Sequence, residues 1–138
     1  MVELVIFKKY LHEFHDGALL AIERSGQGYI FSLESAEMDR SDMKDGISLS
    51  KRGTIKGKLH LEDVQYVKIN ELMFQDELKM IYDYGSVFDL NIQNDIVELQ
   101  VSWRNVPQKP YVNDFSTIVL KSKNIWWENI PDLIDLFW

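Results

Sequence analysis

The sequence predicts a mainly β fold in which two antiparallel β-meanders form a sandwich or a partly open barrel, with short N- and C-terminal helices. Two observations predict this fold. Apolar and polar residues alternate along several short segments, and clusters rich in glycine, asparagine and aspartate separate these segments as turns. The length of 138 residues and the hydrophobic content of 46% fit a single domain over residues 1–138.

The N-terminal segment predicts a short amphipathic helix over roughly residues 8–14. The side chains of Phe7, Tyr10, Leu11 and Phe14 recur at spacings of three and four, which places them on one face of a helix. We expect this helix to lead into a turn and then into the first strand.

The first meander begins with a predicted β-hairpin over Gly17–Glu37. Two glycines in its turn, Ser25–Gly28, can supply the positive φ values that a tight hairpin requires. Further along the chain, Leu59 and Leu61 alternate with polar residues. Both leucines should therefore face one side of a strand while His60 faces the other side.

The second meander is predicted over Gly85–Trp103, where two strands flank a turn at Gln93–Asp95. Its clearest strand signal is Val97–Trp103, in which every second residue is apolar. Phe115–Leu120 is the next strand candidate. The end of the chain, residues 129–138, combines a polar capping residue, an early proline and apolar residues at helical spacing, which predicts a short helix.

The two halves of the chain follow the same order of apolar segments and polar turns. Gly17 and Gly85, which are 68 positions apart, each precede an apolar strand, a short turn and a second strand. The pattern suggests two pseudo-repeats, at about 15–70 and 83–130. The other interpretation is that any antiparallel β protein shows strand and turn segments at this spacing.

The charge balance argues against nucleic acid as a ligand. The chain has 15 Lys and Arg against 22 Asp and Glu, a net charge of −7, whereas phosphate backbones are bound by clustered cations. The longest aliphatic run, Ala18–Ile22, is far shorter than the roughly 20 residues of a membrane span. Together with the absence of cysteine and of a signal-peptide pattern, this favours a cytoplasmic protein that binds neither nucleic acid nor membrane.

No motif in the sequence indicates catalysis. The chain contains no G-x-S-x-G nucleophile elbow, no phosphate-binding glycine loop and no dinucleotide fingerprint. Carboxylate pairs are always available among 22 acids, but only their separation in space would make a pair meaningful. We therefore expect no catalytic residue and no cofactor.

Near the N-terminus, His12 and His15 lie in a cluster of residue types that can bind metal ions. His12 and His15 would share a helical face beside Glu13 and Asp16, but zinc needs three or four converging donors and the third histidine of the chain is remote. The same segment has a structural explanation, because Asp and Gly are typical turn residues. We interpret His15, Asp16 and Gly17 as a structural turn and expect no metal site.

A polar loop with three aspartates follows the predicted hairpin. Asp39, Asp42 and Asp45 are spaced by three, whereas a calcium-binding EF-hand loop needs oxygen ligands at its first, third and fifth positions. The spacing therefore favours a solvated acidic loop.

Two adjacent tryptophans provide a candidate interface residue. Trp126 and Trp127 would point to opposite faces of an extended segment, so one of them is expected to be at least partly exposed. A partly exposed tryptophan beside acidic residues is typical of an anchor in a protein–protein interface.

Two short segments resemble a known group of proteins. Leu11–Gly17 reads LHEFHDG, and Gly57–Val64 reads GKLHLEDV. With a hairpin between them, these segments resemble small bacterial families that carry an N-terminal FHDG or FHDA turn, several of which resemble immunity proteins of polymorphic-toxin systems. The resemblance implies a non-catalytic, β-rich cytoplasmic domain that binds and neutralises a cognate toxin, and it transfers no binding residue.

The leading hypothesis is a non-catalytic protein-binding module with a protein partner, such as the basic cleft of a toxin nuclease. The acidic residues expected at this contact are Asp39, Asp42, Asp45, Glu62 and Asp63.

The alternative hypothesis is a small-molecule-binding β domain or an enzyme, with a pocket near His15 and Asp16 between the two meanders. A third hypothesis is a structural domain that pairs through an exposed strand edge. We therefore expect a monomer or a weak homodimer.

Overall fold

The computed structural model describes residues 2–39, 46–105 and 114–131. The chain begins with helix α1 (Leu4–Phe7), which continues as a 3-10 helix (Lys8–Phe14). The strands that follow are β1 (Ala18–Ser25), β2 (Gly28–Glu34), β3 (Lys56–Ile69), β4 (Leu72–Met73), β5 (Tyr84–Gln93), β6 (Ile96–Arg104) and β7 (Phe115–Asn129).

Six of these strands close into an antiparallel barrel, so the structure is a barrel and not a sandwich. Neighbouring strands follow the order β2-β1-β5-β6-β7-β3, and β3 pairs back onto β2, while β4 pairs only with the end of β3. The predicted meanders are confirmed as β1-β2-β3 and β5-β6-β7. They join along a long β3–β7 seam and along a short β1–β5 seam that contains two residue pairs.

The turns and faces of the strands agree with the predicted pattern. In the first hairpin Ser25 pairs with Gly28, and Gly26 adopts a positive φ of 55° between them. On β3 the side chains of Leu59 and Leu61 are buried in the core, whereas His60 lies on the outer face. The alternation in the sequence therefore identified the inner and outer faces of this strand correctly.

Closure of the barrel depends on two glycines at crowded crossings of the backbone. A Cβ atom on Gly28 would lie 2.0 Å from the carbonyl oxygen of Leu61, and one on Gly57 would lie 2.0 Å from the carbonyl oxygen of Glu128. Any side chain at either position would push the neighbouring strand away. These glycines therefore permit the close approach of β2 to β3 and of β3 to β7.

The N-terminal helical segment seals the barrel core. The Phe7 ring stacks on the Trp127 ring at a centroid distance of 4.5 Å, and the Phe14 ring meets Trp127 edge-on at 5.8 Å. All three side chains are fully buried. The predicted N-terminal helix is confirmed, and it starts earlier than expected, at Leu4. Its apolar face packs against a barrel strand, which explains the helical spacing of its aromatic residues.

The predicted C-terminal helix falls almost entirely outside the described residues. Of its expected span, Asn129 is the last residue of β7, and Ile130 and Pro131 have no regular structure.

The first strands of the two meanders share one irregularity. Each strand carries a β-bulge at an exposed residue, Leu20 in β1 and Phe88 in β5. These two residues are 68 positions apart, which is also the separation of Gly17 and Gly85. The pair Ala18 and Ser86, which joins β1 to β5, has this offset as well. The topology is compatible with pseudo-repeats, and their common origin stays a prediction.

Candidate functional site

The outer face of the β3–β7 seam presents a stacked pair of rings. The pairing of β3 with β7 sets Leu59 opposite Trp127 on the inner face and His60 opposite Trp126 on the outer face. The imidazole of His60 lies flat on the indole of Trp126, with a centroid distance of 3.8 Å and an interplanar angle of 6°. Trp126 is half-buried, so the prediction that one of the two adjacent tryptophans is partly exposed is confirmed.

Carboxylates lie on both sides of this stack along the strands. The Nε2 atom of His60 lies 2.8 Å from Oε1 of Glu128, two residues beyond Trp126 on β7. On the other side, the Nδ2 atom of Asn124 donates a hydrogen bond of 2.5 Å to Oε1 of Glu62. We call the surface formed by His60, Glu62, Asn124, Trp126 and Glu128 the Trp126 face.

The charge next to the Trp126 face remains negative. The nearest lysine on the outer side of β3, Lys58, lies 3.9 Å from a carboxylate oxygen of Glu23, which offsets its positive charge. Asp63 follows Glu62 with a positive φ of 52° and is exposed. The imidazole of His60 has only 16% of its side chain exposed and contacts both Trp126 and Glu128. The face therefore combines an aromatic surface with an excess of carboxylates.

The acidic residues predicted to contact a partner do not form one cluster in the described part of the chain. Glu62 and Asp63 lie at the Trp126 face, whereas Asp39 follows β2, where the N–H of Met38 donates to the carbonyl oxygen of Gly53. Asp39 thus lies before the start of β3 at Lys56, whereas Glu62 lies six residues along that strand, roughly 20 Å from its start at about 3.3 Å per residue. Asp42 and Asp45 lie outside the described residues.

The predicted turn at His15, Asp16 and Gly17 joins the N-terminal helical segment to β1. The Nδ1 atom of His15 donates to the carbonyl oxygen of Phe88 at 2.5 Å, and the two rings meet edge-on at 5.4 Å. Asp16 adopts a positive φ of 67°, and its N–H donates to the carbonyl oxygen of Val87 at 2.9 Å. The segment therefore extends the β1–β5 seam.

Gly17 has a steric role in this turn. A Cβ atom at this position would lie 2.2 Å from the carbonyl oxygen of Glu34 and 2.9 Å from that of Phe14. Only glycine lets the chain pass between these two carbonyl groups.

An open cleft lies beside the turn. Its volume is about 440 Å³, and its lining includes Asp16, Gly17, Glu34, Arg52 and Tyr84 but not His15. The cleft thus lies at the place where the alternative hypothesis expected a pocket, and it is polar.

A hydrogen-bonded network that the sequence did not indicate forms one wall of this cleft. The Nη2 atom of Arg52 donates to both carboxylate oxygens of Glu34, at 2.9 and 3.0 Å. The hydroxyl of Thr54 donates to the same carboxylate at 2.7 Å and is itself hydrogen-bonded to Ser50. In the sequence, Arg52 and Gly53 indicate only a turn between two apolar segments. The turn exists, but the sequence does not show that Glu34, 18 positions earlier, lies opposite it.

The N-terminal histidines do not converge on a common point. His12 contacts Glu13 at 2.9 Å, while Nδ1 of His15 is committed to a backbone carbonyl group. Among the described residues no group of three His, Cys, Asp or Glu side chains is placed to hold a metal ion. Within the same residues, no helix is long and apolar enough to cross a membrane.

Comparison with known proteins adds no assignment. The chain matches no protein-family model, and no curated protein and no solved structure is significantly similar to it. The resemblance to immunity-protein families at Leu11–Gly17 therefore stays a prediction.

Proposed function

We propose that this protein is a non-catalytic protein-binding module that docks its Trp126 face on a basic surface of a partner protein. The partner is a toxin of the polymorphic kind, and the barrel acts as the immunity protein that covers the toxin's cationic site. The observation that carries the proposal is a half-buried tryptophan on the outer face of the sheet between two carboxylates.

A tryptophan in this position is well suited to anchor a protein contact. Tryptophan is enriched among the residues that dominate binding energy, since it buries a large rigid surface with little loss of side-chain entropy. The ring of Trp126 is held by the stack on His60, which is in turn bound to Glu128. The anchor is therefore pre-organised before a partner arrives, which lowers the entropic cost of binding.

The charge of the chain supports a basic partner. A net charge of −7 attracts a cationic surface, raises the association rate and makes that rate sensitive to salt. Glu62, Asp63 and Glu128 place part of this charge next to the anchor. An active-site cleft that binds phosphates is the kind of cationic surface that such a face would cover.

The test is quantitative capture of the partner from a lysate of the source cells. The triple variant Glu62→Gln, Asp63→Asn and Glu128→Gln should reduce capture of a basic protein at least tenfold. A matched triple variant elsewhere, Glu71→Gln, Asp76→Asn and Asp89→Asn, changes the net charge equally and should leave capture within about twofold. All three control residues are exposed. Equal losses in both variants, or no loss in either, would contradict docking through this face.

A second candidate function has one observation in its favour, the polar cleft beside Asp16 and Gly17. Its wall contains one arginine, bound to Glu34 and otherwise largely exposed, and a tyrosine. This composition suits a small polar ligand. A screen of polar metabolites by thermal shift, repeated with Arg52→Gln and Tyr84→Phe, tests this function. A ligand whose stabilising effect disappears in both variants would support it.

A further inference from the structure

The stack of His60 on Trp126 turns the second face of the indole towards the opposite edge of β7, beyond the end of its pairing with β6. Two rings on neighbouring strands that stack face to face have planes that run parallel to the strands, so each ring turns its second face away from the other strand. Since His60 on β3 covers one face of Trp126, the other face points away from β3. On that side β6 pairs with β7 only as far as Lys121, opposite Ile96. No residue of β6 is therefore paired opposite Trp126.

The N-terminal segment brings a carboxylate to this uncovered side. Val2 forms an antiparallel bridge with Trp127, with hydrogen bonds of 2.7 and 3.2 Å in the two directions. The next residue, Glu3, is therefore opposite Trp126, and it is exposed. By the alternation of an extended chain, Glu3 belongs on the outer face together with Trp126.

Within the described part of the chain, the ring contact seen at Trp126 is the stack with His60, on the face of the indole opposite this open side. One carboxylate, that of Glu3, lies on the side of the open face, whereas Glu128 contacts His60 and Glu62 contacts Asn124 on the side of the indole that His60 covers. A flat π surface with a carboxylate beside it is an environment that binds an organic cation.

We infer that the open face of Trp126 binds the guanidinium group of an arginine side chain on the partner protein. Guanidinium is planar, so it stacks on an indole face, and its fork of N–H groups donates to a carboxylate in two parallel hydrogen bonds. The ammonium group of lysine is not planar and cannot donate two parallel hydrogen bonds to one carboxylate. This inference rests on the proposed function, because it names the partner side chain that the Trp126 face accepts.

The inference can be tested without the partner, by NMR titration of the intact protein. The probes are N-acetyl-arginine amide, the corresponding lysine amide and the neutral citrulline amide, which keeps the shape of arginine but not its charge. The indole N–H signal of Trp126, assigned by loss of one of the tryptophan signals in Trp126→Phe, should shift with arginine in the millimolar range. Lysine should bind about three- to fivefold more weakly, and citrulline should cause no saturable shift.

Three variants make the location of binding testable. Trp126→Leu should abolish the shifts at Asn124 and Glu128, whereas Phe115→Leu, an exposed aromatic residue at the other end of β7, should leave them unchanged. Glu3→Gln changes an exposed side chain that makes no capping hydrogen bond to helix α1, and it should weaken arginine binding about twofold or more. Equal binding of citrulline, shifts centred on another surface, or no effect of Glu3→Gln would overturn the inference.

Failure of the arginine titration can be distinguished from failure of the capture experiment. Capture that depends on Glu62, Asp63 and Glu128, combined with no arginine shift at Trp126, would retain the protein-binding function and reject the guanidinium site. Micromolar binding of the free arginine amide would also reject the inference, since such an affinity belongs to a site for a free guanidino compound.

Discussion

Trp126 and Trp127 are neighbours in the chain and lie on opposite faces of one barrel strand. Trp127 is 0% exposed and packs against Phe7 and Phe14, whereas Trp126 lies on the outer face and packs against His60. One indole therefore belongs to the core and the other is available to a ligand. Trp127 should therefore contribute to the stability of the fold and Trp126 to binding, and both contributions can be measured.

We expect the two tryptophans to differ strongly in their contribution to stability. Trp127→Ala removes a fully buried ring and leaves a cavity beside Phe7 and Phe14, so the free energy of unfolding should fall by about 3–5 kcal/mol. Trp126→Ala removes a stacking contact on the surface and should cost about 1 kcal/mol. Urea denaturation followed by circular dichroism measures both values. Similar losses for the two variants would show that Trp126 is a core residue and not an available anchor.

The barrel seams should be intolerant of side chains at their crowded glycines. Gly57→Ala would place a Cβ atom 2.0 Å from the carbonyl oxygen of Glu128, so the variant should lose about 3 kcal/mol or more. Gly26→Ala is the control, because nothing lies within 4 Å of its added Cβ and the cost comes only from the positive φ, about 1 kcal/mol. Thermal unfolding of both variants compares them. A Gly57→Ala protein as stable as Gly26→Ala would contradict the close β3–β7 crossing.

The ion pair between Arg52 and the nearly buried carboxylate of Glu34 should contribute to the free energy of unfolding. The side chain of Glu34 is only 11% exposed, so Arg52→Ala leaves a nearly buried charge that retains a single hydroxyl donor, Thr54. Because Arg52 is itself 73% exposed, solvent screens much of the pair, and we expect a loss of about 1–2 kcal/mol. Adding Glu34→Gln should recover part of this loss. A double variant less stable than Arg52→Ala alone would show that the pair is not coupled in this way.

The phenol of Tyr82 should titrate above the ordinary tyrosine value. Its hydroxyl donates to the Asp114 carboxylate, and this hydrogen bond to the neutral phenol, with smaller contributions from desolvation and from the charge of Asp114, raises the pKa of Tyr82 above 10.0. A raised pKa in the folded state means that the contact stabilises the fold below the pKa of the unfolded chain. The stabilisation is lost as the pH rises through the folded value.

The measurement is a pH titration of the labelled tyrosine ring carbon by NMR. Asp114→Asn should lower the pKa of Tyr82, whereas Asp89→Asn, an exposed carboxylate on β5, should not change it. A pKa of Tyr82 that is unaffected by Asp114→Asn would show that the hydrogen bond does not persist in solution.

Local patterns in the sequence predicted the parts of the fold that depend on neighbours in the chain. The alternation of Leu59, His60 and Leu61 determines which of them face the core, since successive residues of a strand point to opposite sides. The same rule predicted that Trp126 and Trp127 diverge. The glycines at Ser25–Gly28 predicted the first hairpin, because a positive φ is a local requirement.

Contacts between distant segments could not be predicted in this way. His60 meets Glu128 across 68 positions, and Arg52 meets Glu34 across 18 positions; both contacts depend on strand order and register, which the alternation pattern leaves open. The choice between sandwich and barrel depends on whether β3 pairs with both β2 and β7, and no local signal encodes that. Charge alone predicts that the acidic residues form one contact surface, whereas the structure places Asp39 away from Glu62.

The most direct test of the central claim is hydroxyl-radical footprinting of the protein alone and in complex with its captured partner. If the Trp126 face is the docking surface, the oxidation rate of Trp126 should fall at least fivefold in the complex. The exposed rings of Phe88 and Phe115 should remain equally reactive in both states. Unchanged oxidation of Trp126, with protection appearing instead at Phe88 or at Tyr84 in the polar cleft, would contradict the account.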